Sequence, residues 1–136
     1  MTCFLDTNIL IYAIGADEFA PKKTMLAKRI LEEGDCALSI QVFQEFYVQA
    51  TRETRRGAIS HDAAITLLRA WSRFPVQPIT REVFDGALTI RARYRLSYWD
   101  AAIVAAAQAQ GCGTLYSEDM AHGMTFGGTT IVNPFL

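Results

Sequence analysis

At 136 residues, 51% apolar and 20% charged, the chain is long enough to bury a core of its own and carries no low-complexity tract. No apolar run reaches the roughly 18 residues that a membrane span needs, and the N-terminus lacks the basic start and small-residue cleavage site of a secretory signal. The expectation is therefore one cytoplasmic domain over residues 1–136, with a net charge of −1 that excludes a global basic footprint.

In chain order, residues 2–6 (TCFLD) read as a strand and TNILIYAI as a short helix entered directly from it. After the loop ADEFAP, Pro21 opens a helix that stops at Gly34, with proline at the start and glycine just past the end. Residues 36–40 (CALSI) form a second strand. The spacing of Val42, Phe43, Phe46, Tyr47 and Ala50 predicts a helix from about Gln41 to Thr54. RRGAI reads as a turn, and Ser60 as the N-cap of HDAAITLLRAWSRF. VQPI is a brief strand, Thr80 caps a helix ending near Arg95, and Ser97 caps YWDAAIVAAAQAQ, which ends at Gly111. GTLY is a strand, SEDMAHGM a turn or short helix, and TTIVNPF the last strand. Strands alternating with helices predict an α/β domain with a mostly parallel sheet and right-handed crossovers.

In such a fold the C-terminal ends of strands and the N-terminal ends of helices share one edge, the usual ligand edge. Asp6, Glu45, Asp100 and Asp119 all map onto it. Each has an ordinary alternative: Asp6 as a helix cap, Glu45 as a solvated helix residue, Asp119 as a turn acid. Ser97-x-x-Asp100 has capping-box spacing, in which the carboxylate reaches back to the cap. Yet Asp100 is the only charged residue between Arg95 and Glu118, and it shares a helix face with Ile103, Val104 and Ala107.

Clustered carboxylates repel one another, and burial disfavours their charge, so four on one edge call for a counter-charge. Hard oxygen donors select Mg²⁺, with Mn²⁺ as a substitute, and such ions bind phosphodiesters and activate water. A polyanionic substrate gives a purpose to the nine arginines between Arg52 and Arg95, which otherwise form a solvated surface. Zinc is not expected, because His61 and His122 stand apart. Cys3, Cys36 and Cys112 are odd in number and widely spaced, as buried thiols are, with no knuckle or disulfide framework.

FLDTNILIYA at the start, LSIQVFQEFYV at 38–48, YWDAAIVAAA at 98–107, LYSEDMAHG at 115–123 and IVNPF at 131–135 together resemble PIN-domain ribonucleases, most closely the VapC toxins of bacterial and archaeal toxin–antitoxin pairs. The resemblance runs nearly end to end. It implies a PIN-like three-layer α/β/α domain with a mostly parallel central sheet, and the family's acidic quartet falls on Asp6, Glu45, Asp100 and Asp119. Asp6, Asp100 and Asp119 would touch the metal, and Glu45 would act through water or as a base. Asn8 and Ser117 match positions that orient the carboxylates, and Glu118 reads as a bystander. The resemblance further implies a Mg²⁺- or Mn²⁺-dependent endoribonuclease, an RNA substrate, a VapB-type antitoxin and a homodimer.

Two other readings compete. A PIN-like protein that binds or processes RNA without being a toxin would share the fold. An aspartyl-phosphate phosphatase would also place Asp at the end of strand one. That class carries a second Asp two residues on, where Asn8 stands, and a Lys after a late strand, where only SEDM and NPF follow.

Overall fold

The computed structural model describes residues 2–136. Its elements are β1 (Cys3–Leu5), α1 (Thr7–Ala13), α2 (Pro21–Glu33), β2 (Cys36–Ser39), α3 (Ile40–Ala50), α4 (His61–Trp71), β3 (Val76–Gln77), α5 (Arg81–Tyr94), α6 (Tyr98–Ala109), β4 (Thr114–Tyr116), β5 (Thr125–Phe126) and β6 (Thr129–Val132). The helix starts follow local chemistry. Ser39, Ser60, Thr80 and Ser97 each accept a backbone N–H three residues on, from Val42, Ala63, Val83 and Asp100. Pro21 begins α2, and Gly34 closes it at φ +79°, a left-handed position that glycine adopts without strain.

The strands form one six-stranded sheet in the order β3-β2-β1-β4-β6-β5, parallel except for the β5–β6 pair. β1 lies in the middle, with Phe4 opposite Ala37 on one side and Leu115 on the other. The steps β1→β2 and β2→β3 run the same way across the sheet, so right-handed crossovers place α1 to α4 on one face. The return from β3 to β4 reverses direction and carries α5 and α6 to the other face. The packing agrees: α1 lies on α2 and α3, α3 on α4, and α5 on α6. The expected three-layer arrangement is present.

The central strands are covered on both faces and are apolar along their length, as parallel strands must be. Phe4, Leu5, Leu38 and Leu115 are fully buried, packed with Ile9, Leu10, Phe46, Ile103 and Val104 from the helices. Five alanines of α6 (Ala101, Ala102, Ala105, Ala106 and Ala107) are also buried, and their small side chains let that helix approach the sheet closely.

Several boundaries differ from the sequence expectation. α3 ends at Ala50 rather than Thr54, because Thr51 turns its hydroxyl back to the Tyr47 carbonyl and Ile59 N–H takes the Ala50 carbonyl. Residues 117–124 contain no helix. Thr125–Phe126, to which the sequence reading assigns no element, pairs antiparallel with β6 across Gly127–Gly128. Asn133 leaves the strand, its side chain accepting the Phe135 N–H. β1 and β4 are adjacent while the chain leaves them towards opposite edges, so the cleft beyond their C-terminal ends is a topological switch point.

Candidate functional site

Asp6 stands at that point. It follows β1, its own N–H is held by the Tyr116 carbonyl of β4, and its side chain caps α1. Oδ1 accepts the Thr7 N–H at 2.7 Å, and Oδ2 accepts the Ser117 hydroxyl at 2.8 Å and a longer contact from Asn8 Nδ2 at 3.5 Å. Only 7% of the residue is exposed. Burial raises its pKa most, and the Ser117 and Thr7 hydrogen bonds oppose that. The negative charges of Glu45 and Asp119 then add to the rise, from 3.8 to about 6.

Asn8 spans two carboxylates. Its Nδ2 donates to Asp119 Oδ2 at 3.2 Å, and its Oδ1 accepts the Glu118 N–H at 3.3 Å. Ser117 is fully buried, and while it donates to Asp6 its oxygen accepts the Asp119 and Met120 N–H groups. These two side chains thus tie the end of β4 to the end of β1. Asp119 itself is exposed.

Glu45 lies in the second turn of α3, half-buried. The Thr7 hydroxyl donates to its Oε1 at 2.6 Å, which links it to the residue after Asp6. Gln41 Nε2 reaches Oε2 at 3.4 Å. Thr7 and Gln41 were not singled out from sequence. Gln41 was the more legible, since it precedes Glu45 by four residues on the same helix face.

Asp100 occupies the first turn of α6, half-buried, with Ile103, Val104 and Ala107 buried along its face. Only half of the expected capping box forms: Ser97 Oγ accepts the Asp100 N–H at 3.2 Å. Among the described residues the Asp100 carboxylate makes no hydrogen bond, so it does not reach back to the cap and does not join the network of the other three. Nor, among the described residues, do three His, Cys, Asp or Glu side chains stand close enough together to hold an ion as placed.

Glu118 points elsewhere. It accepts from Tyr12 at 2.6 Å and pairs with Lys23, whose ammonium also lies over the rings of Tyr12 and Phe135. Burial works against its charge, but the Lys23 and Tyr12 bonds outweigh that and hold the carboxyl below its usual range. The cation that neutralises Glu118 does not serve the others. The ion pairs among the described residues are Lys23–Glu118, Arg56–Glu18 and Arg81–Asp85, and none involves Asp6, Glu45, Asp100 or Asp119.

The donor set suits a hard divalent cation: carboxylate oxygens on one edge, one of them buried against its own charge and without a basic partner. The thiols do not compete. All three cysteines are free, and burial pushes Cys36 up to about 12 and Cys112 to about 11, so both stay protonated.

The model of the PIN domain matches residues 3–122 of this chain. Among solved structures, a toxin–antitoxin complex from Klebsiella pneumoniae is similar at a TM-score of 0.71 and 24% identity, covering 98% of each chain. VapC20 of Mycobacterium tuberculosis, described as a sarcin–ricin-loop-cleaving toxin, is similar at 0.67 and 21% identity, over 87% of this chain and 90% of that one. VapBC2 from Rickettsia felis, bound to a fragment of its promoter DNA, is similar at 0.66 and 16% identity, over 96% and 97%. At these identities the likeness is one of fold. No curated protein matches the sequence.

Proposed function

Since this chain belongs to the PIN-domain family, we propose that it is a Mg²⁺- or Mn²⁺-dependent endoribonuclease and the toxin of a VapBC-type pair. One observation carries the reading: the buried Asp6 carboxylate, raised to about 6 and pressed by Glu45 and Asp119, has no basic side chain among the described residues to neutralise it. A site that concentrates negative charge without a counter-ion is built for one supplied from solution.

In this reading Asp6, Asp100 and Asp119 hold the cation, and Glu45 acts through water or as a base. A bound divalent cation would neutralise a scissile phosphate and lower the pKa of attacking water. The chain's own residues supply the geometry. Ser117 and Thr7 fix both oxygens of Asp6, so a ligand there loses little side-chain freedom on binding. Asn8 keeps Asp119 within reach of Asp6, and the Thr7 bond holds Glu45 on the same side. Asp100 comes from the opposite face of the sheet on a helix held close by its alanines, and its unengaged carboxylate is free to turn towards a cation.

Of the 14 acids, four serve the metal, which leaves 13 basic residues against ten acids over the remaining surface, favourable for an RNA backbone. Association with an antitoxin and with a second copy belongs to the same proposal. Phe84 and Leu88, one turn apart on α5, are exposed apolar side chains that such partners would cover. No helix is long and apolar enough to cross a membrane.

The decisive experiment is cleavage of a structured RNA with Mg²⁺, repeated with EDTA and with Asp6→Asn. Cleavage lost under both conditions is expected; equal cleavage by wild type and Asp6→Asn sinks the proposal. Neutralisation of the activity by the product of an adjacent small reading frame separates a toxin from a housekeeping nuclease.

A further inference from the structure

Trp99 immediately precedes Asp100, yet it is 64% exposed, an unusual state for the largest apolar side chain. It is not loosely placed. Its ring packs edge-on against Tyr98, centroids 5.0 Å apart at 78°, and its backbone carbonyl accepts Gln41 Nε2 at 3.1 Å. The same amide contacts Glu45. Gln41 therefore links the α6 backbone at Trp99 to Glu45 on α3.

Beside Trp99 lies a hollow of about 350 Å³ whose wall includes Gln41, Gln44, Glu45, Gln49 and Arg52. That volume is in the range of small-molecule sites, and besides Trp99 its one wholly apolar side chain is Val48, the rest being amides, Glu45 and Arg52. Three amides present donors and acceptors, Arg52 makes no ion pair among the described residues, and one acid of the site closes the end. An apolar side chain seated there would strip water from these groups and return no hydrogen bonds. An unpaired nucleotide answers each of them: a π face for the indole, a polar base edge for the glutamines and a phosphate for Arg52.

We infer that Trp99, with Arg52 and the glutamine amides, forms a subsite for one unpaired nucleotide flanking the bond that is cut. The inference rests on the nuclease reading for its orientation, since Glu45 lines the hollow and Trp99 directly precedes Asp100. It adds the residues that would hold that nucleotide, a base stacked in a duplex having no free face to offer the indole.

The protein has two tryptophans, and Trp71 is buried, so fluorescence quenching by a ligand reports Trp99. Full-length protein in EDTA, where no cleavage occurs, is titrated with a short single-stranded oligoribonucleotide and with an abasic oligomer of equal length. Quenching by the RNA and not by the abasic oligomer is expected. Trp99→Ala should weaken RNA binding, read by anisotropy, about ten- to a hundredfold, while Trp99→Phe retains most of it. Far-UV circular dichroism checks that these surface variants fold. No quenching by the RNA, equal quenching by both oligomers, or unchanged binding by Trp99→Ala overturns the inference. So does a Trp99→Ala variant that binds RNA normally and loses a protein partner instead. If wild type cleaves RNA while Trp99→Ala binds and cleaves equally well, the subsite fails and the nuclease reading stands. If binding depends on Trp99 but wild type never cleaves with Mg²⁺ or Mn²⁺, the nuclease reading fails and the subsite stands.

Discussion

Asp6→Asn should change the pH dependence of stability in the metal-free protein, in a direction opposite to that of most carboxylates. The folded state holds the Asp6 carboxyl at about 6 against 3.8 in its ordinary environment. Between those values the folded chain binds more protons than the unfolded one, so stability falls as pH rises. The contribution is fully present below 3.8 and lost above about 6. At 1.36 kcal/mol for each tenfold change, it amounts to about 3 kcal/mol, or roughly 10 °C in Tm for a chain of this size. Asparagine also alters a hydrogen bond, because Ser117 already accepts two N–H groups and has only its proton to offer position 6. That cost, about 1–3 kcal/mol, does not vary with pH. Urea denaturation of both proteins in EDTA from pH 4 to 8 separates the two effects. The offset between the curves reports the hydrogen bond, and the change in their difference reports the charge. The variant should gain on wild type by about 2.5 kcal/mol as pH rises from 4 to well above 6. Parallel curves would refute the argument that Asp6 is held charged at a cost.

Millimolar Mg²⁺ or Mn²⁺ at pH 7.5 should raise the wild-type Tm by a few degrees, and Asp100→Asn should blunt that rise, as differential scanning fluorimetry would read. Gly57→Ala should cost about 2 kcal/mol or more in chemical denaturation: its φ is +76°, and a Cβ there would sit 2.7 Å from the Ala16 carbonyl oxygen. Arg95→Gly should stabilise by up to about 1 kcal/mol, since Arg95 closes α5 at φ +59°, where a side chain is strained. Its midpoint in urea should move up with an unchanged slope.

Most of the helices were legible because their signals are local. Ser60, Thr80 and Ser97 cap where their spacing indicates, and Pro21 and Gly34 bracket α2. The apolar segments of β1 and β2 announce strands covered on both sides. The four acids were readable as an edge set for the same reason: each sits next to a strand end or within the first two turns of a helix. Short-range chemistry can also mislead, and Ser97-x-x-Asp100 looked like a complete capping box although only the serine half forms.

What the tertiary structure decided are the pairings between distant segments. β5 is two residues long and exists only because β6 pairs with it, so no periodicity could reveal it. The Ser117 hydroxyl meets Asp6 across 111 residues of chain, and Thr7 meets Glu45 across 38. Glu118 and Asp119 are neighbours in sequence, and composition cannot say which one faces a lysine. The fold answers it by placing Lys23 and Tyr12 beside Glu118. Sequence determined which residue types reach the ligand edge, because element starts and ends follow the local hydrogen-bonding needs of the backbone. Only the packed sheet decided which of them share a hydrogen bond, a counter-charge or neither, because those depend on the order in which the strands lie side by side.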